Sequence, residues 1–484
     1  MNLKTISRNV GYALLVDALF MFIAAMISLF EGNDSALGAT TISFIITFIF
    51  GAFPFIFVRK TNRVTLREGY VIVTLSWILS FVFGMLPYAL YGEPFTLENA
   101  WFESVSGFTT TGATVLEDVE VLPDSLLFWR SATHFIGGLG VVVFLLLIIP
   151  ESSPIRMRLT NMEVSTLSRE SYSSRTNKTV FIFAYVYLAL VALSFVLYML
   201  GGMSAFDAIN HAFSVSATGG FSTRTASIAA YDSRYIEAVT MVFMVLSSIH
   251  FGLIFLAVTR HSLRPLANPV IKFYLSMLLI VTVLAAIPLC TSGTEDSFGS
   301  ALWVSAFQTI STASTTGFAI ADNSAWPLSA NILLMFAAVT CGCAGSTTGG
   351  LKSDRVMILF KAIGCRIRHT LNPSVIDEVK VGGRHVRGEE VAPHVTYIAL
   401  FGVILAVSVL LCAVSGASPT DSFSGSLFCL TNVGPAIGDI GSFGNYSQVP
   451  SLSKFVFTLD MFLGRVEIYP VLAVLAMAFA RNRK

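Results

Sequence analysis

The stretch Ser104–Val115, "SVSGFTTTGATV", places hydroxyl side chains and glycine inside a chain of 484 residues that is otherwise strongly apolar. Hydrophobic residues make up 54% of the chain and charged residues 12%, whereas soluble domains carry about 25% charged residues. Non-helical backbone is tolerated within a bilayer only where it is buried in protein or lines a wet cavity. The stretch therefore predicts a cavity inside a membrane protein.

The chain contains ten stretches long and apolar enough to span a bilayer, which takes about 20 residues. Most of the 30 Lys and Arg residues cluster on one side of this topology, including residues 59–67, 156–178 and 352–387. The positive-inside rule makes that side cytoplasmic, together with both termini. Acids in the opposite loops predict an outer face that attracts cations. The predicted spans are 10–30, 40–58, 69–91, 126–150, 179–200, 235–259, 269–290, 330–360 (interrupted), 394–415 and 453–480.

Three later stretches repeat the opening pattern: "SVSATGGFST" from Ser214, "STASTTGFAI" from Ser311 and "CLTNVGPAIG" from Cys429. In each copy a hydroxyl residue stands three positions before an aligned glycine, and apolar residues recur upstream at helical spacing. Each copy therefore predicts a helix too short to span the membrane, followed by an extended loop. The aligned glycines are Gly112, Gly219, Gly317 and Gly434, and the hydroxyl residues are Thr109, Ser216, Ser314 and Thr431.

Four such loops around one axis predict an ion selectivity filter. The C-terminal ends of the short helices carry partial negative charge, and loop carbonyl and hydroxyl oxygens can replace the hydration shell of a cation. A single copy is equally compatible with a polar kink in a helix bundle, but four copies with matching offsets disfavour that alternative. The predicted ion-binding residues are Thr110, Thr111, Gly112, Ala217, Thr218, Gly219, Thr315, Thr316, Gly317, Asn432, Val433 and Gly434, supported by Thr109, Ser216, Ser314 and Thr431.

The eighth span is interrupted by "CGCAGSTTGG" from Cys341. Its glycines and hydroxyl residues cannot form a stable helix in lipid, so this segment is predicted to lie against the inner mouth of the pore. The six cysteines contain no C-x-x-C pair, which argues against a disulfide framework or a zinc site. No nucleophile or paired-carboxylate arrangement suggests an enzyme.

The sequence resembles the TrkH/KtrB/HKT superfamily of potassium uptake proteins, and its TrkH branch in particular. The resemblance covers nearly the whole chain and is carried by "SGFTTTGATV", "WRSATHFIGGLG" from Trp129, "SATGGFSTR", "STASTTGFA", "CGCAGSTTGGLKSDR", "TNVGPAIG" and "GRVEIYP" from Gly464. The expected fold is an all-α polytopic membrane protein, with two extra N-terminal helices and four span–pore-loop–span repeats around a central ion pore. The expected units are residues 1–66, 67–155, 156–265, 266–370 and 371–484.

The resemblance implies potassium uptake across the bacterial inner membrane by a gated, channel-like pore, with potassium as the ion and no organic cofactor in this chain. It also implies a homodimer and a cytosolic, nucleotide-binding, TrkA-like regulatory subunit. The segment after Pro373, with its Gly382-Gly383 turn, predicts a cytoplasmic β-hairpin on which that subunit could dock. Two alternatives stay open: a potassium symporter coupled to protons or sodium, and a pore with substantial sodium permeability.

In the resembled superfamily the loop equivalent to the interrupted eighth span is an intramembrane gate. Arg465 lies within the tenth span, where a cation costs roughly 2.5–3.5 kcal/mol, so it needs water or a partner. One interpretation places its guanidinium on carbonyl groups of the gate, where its charge repels potassium, and the alternative is an ion pair with Glu467 or Asp460. The predicted gate residues are Gly342, Gly345, Ser346, Thr347, Thr348, Gly349 and Arg465.

Overall fold

The computed structural model describes residues 2–58, 64–148, 176–372, 379–382, 384–386 and 388–481. The described part is mostly α-helical and contains one short β-hairpin. In chain order the elements are α1 (Leu3–Phe30), α2 (Leu37–Phe57), α3 (Leu66–Gly84), α4 (Leu86–Tyr91), α5 (Leu97–Phe108), α6 (Asp124–Ile148), α7 (Thr176–Leu200), α8 (Ala205–Ala217), α9 (Arg234–Ser247), α10 (Phe251–Thr259), α11 (Pro269–Thr291), α12 (Phe298–Ala313), α13 (Leu328–Thr340), α14 (Ser353–Leu371), β1 (Val379–Val381), β2 (Arg384–Val386), α15 (Gly388–Val414), α16 (Pro419–Leu430), α17 (Ser451–Val466) and α18 (Ile468–Arg481).

Within the described residues, six helical segments are long and apolar enough to cross a membrane: α1, α2, α3 with α4, α7, α11 and α15. The predicted interruption of the eighth span is confirmed, because α13 ends at Thr340 and α14 begins at Ser353. The span predicted over 235–259 contains a break that was not predicted from the sequence. There α9 and α10 meet at a bend of 103°, where the polar residues Ser247, Ser248 and His250 interrupt the apolar run.

The predicted tenth span is likewise broken. Helix α17 ends at Val466, and α18 begins at Ile468. Between them Glu467 takes φ +66°, a left-handed conformation that cannot continue a right-handed helix. Three spans that follow pore loops are therefore broken, the sixth, the eighth and the tenth, and only the eighth break was expected from sequence.

The four short helices α5, α8, α12 and α16 begin and end in the same way. A Ser or Thr side chain caps each N-terminus by accepting a hydrogen bond from the backbone N–H three residues later. The capping residues are Thr96, Ser204, Ser297 and Ser418. The helices have 12, 13, 16 and 12 residues. At 1.5 Å per residue they are too short for a hydrocarbon core of about 30 Å.

The largest apolar cluster lies behind the first and fourth short helices. Phe81 of α3 contacts Phe108 of α5 and Phe462 of α17, with ring centroids 6.3 Å and 5.6 Å apart. The predicted hairpin after Pro373 is confirmed: β1 and β2 are antiparallel, with Val379 opposite Val386. The basic segment at 156–175, expected to face the cytoplasm, lies outside the described residues.

Candidate ion-conducting site

Each short helix is followed by a loop with the same backbone geometry. The first loop residue is left-handed in all four copies, at Thr110, Thr218, Thr315 and Asn432, with φ between 52° and 58°. The next backbone N–H then bonds back into the helix, for example from Thr111 to Ser106 O at 2.9 Å and from Val433 to Phe428 O at 2.8 Å. The four copies therefore share one structure as well as one sequence pattern.

This geometry shifts the second loop by one residue relative to the sequence alignment. Two positions after the left-handed residue stand Gly112, Gly317 and Gly434, but in the second loop this position is Gly220 rather than Gly219. Gly112, Gly220 and Gly317 all have positive φ, between 80° and 87°. The alignment of Gly219 with Gly112 is therefore wrong, because a Gly-Gly pair satisfies the pattern in either register.

The same shift applies to the predicted supporting hydroxyl residues. Thr109 and Ser314 directly precede the left-handed residue, and their hydroxyls bond to those of Thr111 and Thr316 at 2.8 Å and 2.7 Å. Thr431 also precedes it and donates to Leu427 O at 3.0 Å. In the second copy this position is Ala217, whereas Ser216 lies one residue earlier within α8.

The four loops close into a ring in chain order. A Cβ atom built on Gly112 would lie 2.0 Å from Gly219 O, and one on Gly220 would lie 2.0 Å from Thr316 O. A Cβ on Gly317 would lie 2.7 Å from Pro435 of the fourth loop, and one on Gly434 would lie 2.6 Å from Gly112 O. Each loop thus contacts the next, and the glycines allow backbone to meet backbone around the ring.

One open cavity is lined by all four of these glycines. Glu117 and Arg224 also line the cavity. The C-terminal ends of the four short helices lead into the ring, so their partial negative charges converge on it. The arrangement offers a dehydrated cation several backbone carbonyl and hydroxyl oxygens at one place.

Asn432 departs from the threonines of the other three copies. Its side-chain amide donates to Thr111 Oγ1 at 3.0 Å and to Met461 O of α17 at 2.8 Å. This residue therefore ties the fourth loop both to the first loop and to the broken tenth span.

A buried ion pair lies beside the ring. Arg130 and Glu103 are 2% and 0% exposed, with Nη2 and Oε1 2.8 Å apart. Arg130 also donates to Ser222 O at 3.3 Å and lies over the ring of Phe221, 4.1 Å from its centroid. One turn along α6, His134 Nδ1 lies 2.9 Å from Ser214 Oγ of the second short helix, α8.

We expect Glu103→Gln to lower the thermal stability of the detergent-solubilised protein strongly. The change leaves the guanidinium of Arg130 buried without its counter-charge, and breaking a buried pair costs about 3–5 kcal/mol. Arg234→Gln is the matched control, because Arg234 pairs with Glu237 but is 62% exposed. An equal shift of the melting temperature in both variants would contradict a special role for the buried pair.

Below the ring lies the segment between α13 and α14, residues 341–352, here called the strip. Gly349 N donates to Thr315 Oγ1 at 3.2 Å, and Thr347 Oγ1 donates to Ser216 O at 3.1 Å. A Cβ on Gly349 would lie 2.4 Å from Asn432 Oδ1. The strip therefore touches the second, third and fourth copies directly under the ring.

The strip is held by the break between α9 and α10, which the sequence did not reveal. Cys343 N donates to Ser248 O at 2.9 Å, and Phe251 N donates to Gly345 O at 3.0 Å. Within the strip the hydroxyls of Ser346 and Thr348 are 2.8 Å apart, and Gly342 packs closely against Thr348. The polar run at 247–250 inside an apolar segment was the available signal for this break.

Arg465 bridges the strip and the first repeat. Its guanidinium donates to Thr347 O and, at 3.0 Å, to Gly137 O of α6. The side chain is 8% exposed. The alternative partners suggested by sequence are engaged elsewhere: Glu467 pairs with Arg355 at 3.0 Å and Asp460 accepts from Ser408 at 2.6 Å. The structure thus brings Arg465 onto carbonyl groups, including one of the strip.

The Arg355–Glu467 pair was missed in the sequence because its partners are distant in the chain. It links the first turn of α14 to the break between α17 and α18. Arg355 also lies over the ring of Tyr397 in α15, 3.9 Å from its centroid. The pair therefore fastens together the two broken spans that carry the strip and Arg465.

Acids at the opposite end of the bundle differ in how readily they ionise. The hydroxyl of Thr225 and the backbone N–H of Glu120 hold the pKa of Asp118 below its usual range. Desolvation, with the neighbouring carboxyl groups of Asp124 and Asp34, raises the pKa of Glu31 to about 7. Asp118 is therefore charged over the physiological range, whereas Glu31 gains its charge only as the pH rises through about 7.

These features define a class of protein: a helical membrane protein in which four similar loops meet in a ring and a broken span lies underneath. A sequence model of the TrkH family, described as cation transport protein, matches residues 37–482. The chain belongs to the TrkH family. The prediction of this family from sequence is confirmed, as is the all-α membrane fold, and the family comprises membrane ion transporters rather than enzymes.

Two relatives and one solved structure match nearly end to end. The Trk system potassium uptake protein TrkH of Halomonas elongata is 32% identical, and that of Salmonella typhimurium 30% identical, each covering 100% of both chains. The crystal structure of the potassium transporter TrkH from Vibrio parahaemolyticus superposes with a TM-score of 0.88 at 29% identity. It covers 98% of this chain and 99% of that chain.

Proposed function

We propose that this chain takes up potassium across the membrane through the ring of four loops, which acts as the selectivity filter, and that the strip with Arg465 forms its gate. The observation that carries the proposal is that Gly112, Gly220, Gly317 and Gly434, one from each loop, line one shared cavity. The two relatives reported above are potassium uptake proteins, which supports potassium as the transported ion.

The ring supplies the chemistry that potassium needs. Oxygen atoms in the extended loops replace its hydration shell, and the glycines let neighbouring backbones approach without side chains in the path. With the corrected register, the second loop contributes Thr218, Gly219 and Gly220. Gly219 O and Thr316 O lie against the glycines of neighbouring loops, which supports them as lining groups.

The gate proposal rests on the position of the strip. The strip contacts the second, third and fourth repeats under the ring, and Arg465 joins it to the first repeat. The fixed positive charge of Arg465 under the ring repels a cation directly. The hydrogen bonds from its guanidinium to two carbonyl groups hold the strip in place. Opening then requires Arg465 to release Thr347 O.

The partners and the orientation follow from charge and from the family. The loops at 59–67, 156–178 and 352–387 face the cytoplasm, the membrane is the bacterial inner membrane, and both termini are cytoplasmic. The hairpin β1–β2 is the docking site for a TrkA-like nucleotide-binding subunit. Two copies of the chain form a homodimer.

The direct test of the function is the reversal potential of the purified protein in liposomes under opposed potassium and sodium gradients. We expect the potential to follow the potassium gradient and to be unaffected by a proton gradient. A potential that follows sodium would overturn the filter proposal, and a stoichiometric shift with pH would favour the coupled symporter.

The orientation predicts a labelling pattern for single cysteines in a cysteine-free background. Cysteines at positions within 156–178 and 352–387 should resist a membrane-impermeant thiol reagent added to whole cells, because these segments face the cytoplasm. A cysteine at Asp118 in an outer loop should react readily and serves as the positive control. Rapid labelling within 156–178 from outside would contradict the proposed orientation of the chain in the membrane.

A further inference from the structure

A buried carboxyl group lies behind the fourth short helix and takes no part in the ring or the strip. Asp460 of α17 is 1% exposed. Its Oδ1 accepts from Ser408 Oγ at 2.6 Å, and among the described residues its Oδ2 has no hydrogen-bond partner. An ionised carboxylate with one hydrogen bond is strongly disfavoured in such surroundings, whereas the neutral acid is tolerated. In this arrangement Asp460 therefore holds a proton.

A seam of small polar side chains leads from Asp460 toward the end of the bundle where the short helices begin. Ser415 Oγ and Ser453 Oγ are 2.5 Å apart, and Cys412 Sγ lies 3.8 Å from Ser426 Oγ. Ser415 is half-buried at the exposed end of α15. The seam consists of Ser408 and Cys412 on α15, Ser415 directly after that helix, Ser426 on α16, and Ser453 and Asp460 on α17. Within α15 and α17 the spacings place these residues on one helix face.

The groups around Asp460 are weakly acidic or uncharged. The thiols of Cys412 and Cys429 face it from α15 and α16, and Tyr446 lies behind Cys429 at 3.9 Å. On the side of α5, Trp101 donates to Thr458 at 3.2 Å. The other charged residues of α17 are engaged elsewhere, Lys454 with Glu98 and Arg465 with carbonyl groups. The ionisation of Asp460 is therefore decided by its burial and not by a neighbouring charge.

Helix α17 connects Asp460 to the ion pathway within five residues. The carbonyl of Met461 accepts from Asn432 of the fourth loop at 2.8 Å. A Cβ on Gly464 would lie 2.2 Å from Leu430 O, so this turn of α17 packs directly on the end of α16. Arg465 then reaches the strip. A change in how α17 packs at Asp460 therefore acts on both the ring and the strip.

We propose that Asp460 is a proton-binding site, reached from the outer surface along the seam, that controls conduction through α17. A proton from outer water adds to the carboxylate and gives the neutral acid, and no other bond changes. Loss of the proton leaves an unpaired charge between α15, α16 and α17, which draws in water and displaces α17 next to Met461. The Met461 carbonyl then no longer holds Asn432 of the fourth loop in place, the ring is distorted and conduction falls. The effect on flux rests on the proposed potassium pathway, whereas the proton site does not.

Infrared difference spectra of the protein in liposomes, recorded between acidic and alkaline external pH, test the proton site. We expect a carbonyl stretching band of a protonated carboxylic acid that weakens at alkaline pH and is lost in Asp460→Asn. Asp17→Asn is the matched control, because Asp17 is also 1% exposed and accepts from one serine, Ser80, at 2.7 Å. The Asp17→Asn variant should keep the carboxylic acid band that Asp460→Asn removes. An unchanged difference spectrum in Asp460→Asn overturns the site.

Potassium flux into the same liposomes tests the control of conduction. We expect the flux of the parent and of Asp17→Asn to fall as external pH rises, and that of Asp460→Asn to stay at its acid-pH value, since the amide mimics the neutral acid. If Asp460→Asn loses the infrared band but its potassium flux depends on pH as in the parent, Asp460 still binds a proton. In that case the claim that this proton controls conduction is overturned. Absence of potassium flux in the parent counts against the proposed function alone.

Discussion

Gly112→Ser should lower potassium uptake about tenfold or more and raise the relative permeability to sodium. A Cβ at this position would lie 2.0 Å from Gly219 O, so the side chain enters the contact between the first and second loops. Gly112 also has φ +80°, and a non-glycine residue in such a conformation costs about 1–3 kcal/mol. Each 1.4 kcal/mol in a barrier is a factor of about ten in rate.

The selectivity effect has the same cause. Serine pushes the two loops apart or blocks part of the opening, so the oxygen atoms fit a large, weakly hydrated ion less well. In the resembled superfamily, serine in the first loop accompanies sodium preference, which points in the same direction. The measurement is the reversal potential under bi-ionic potassium and sodium conditions, with growth of a potassium-uptake-deficient host at low potassium as a cheaper assay.

Gly202→Ser provides a matched control. Gly202 has φ +93°, so serine suffers the same backbone strain, but no atom lies within 4 Å of a Cβ built there. This variant should keep the parental ion ratio. Serine at Gly220, Gly317 or Gly434 should impair potassium selectivity as Gly112→Ser does, because each of these glycines meets the next loop. A folded, conducting Gly112→Ser with the parental ratio would mean that the ring is not the filter.

Arg465→Ala should increase potassium flux about tenfold or more when no regulatory partner is present. The closed arrangement loses two charge-assisted hydrogen bonds, to Thr347 O and Gly137 O, each worth about 1.5–3 kcal/mol. It also loses the positive charge under the ring. The measurement is potassium flux into liposomes that contain the purified protein alone.

Two variants separate the gate from a general loss of stability. Arg465→Lys keeps the charge but lacks the fork that reaches two carbonyl groups, so its flux should lie between that of the parent and of Arg465→Ala. Arg234→Ala removes an exposed cation from the outer end of α9 and should leave the flux unchanged. Unchanged or lower flux in a folded Arg465→Ala would make Arg465 a structural residue instead.

Local sequence is sufficient for much of the site because the signals are short-range. Each short helix carries its own N-cap and its own left-handed residue at the end, so the four copies could be found without knowing where they meet. The interruption at 341–352 was visible for the same reason, since its glycines and hydroxyl residues disfavour a helix wherever they lie. The hairpin at 379–386 likewise follows from a local turn.

Tertiary contacts decide what the local signals leave open. Gly219 and Gly220 satisfy the loop pattern equally well in the sequence, and only the contacts of Gly220 with Thr316 O and of Gly112 with Gly219 O select the register. The partner of Arg465 could not be chosen either, because Glu467 is near in sequence, whereas Thr347 and Gly137 lie more than a hundred residues away. The left-handed break at Glu467 ends α17 directly after Val466. The Glu467 carboxylate pairs with Arg355, and the guanidinium of Arg465 bonds to the distant carbonyl groups.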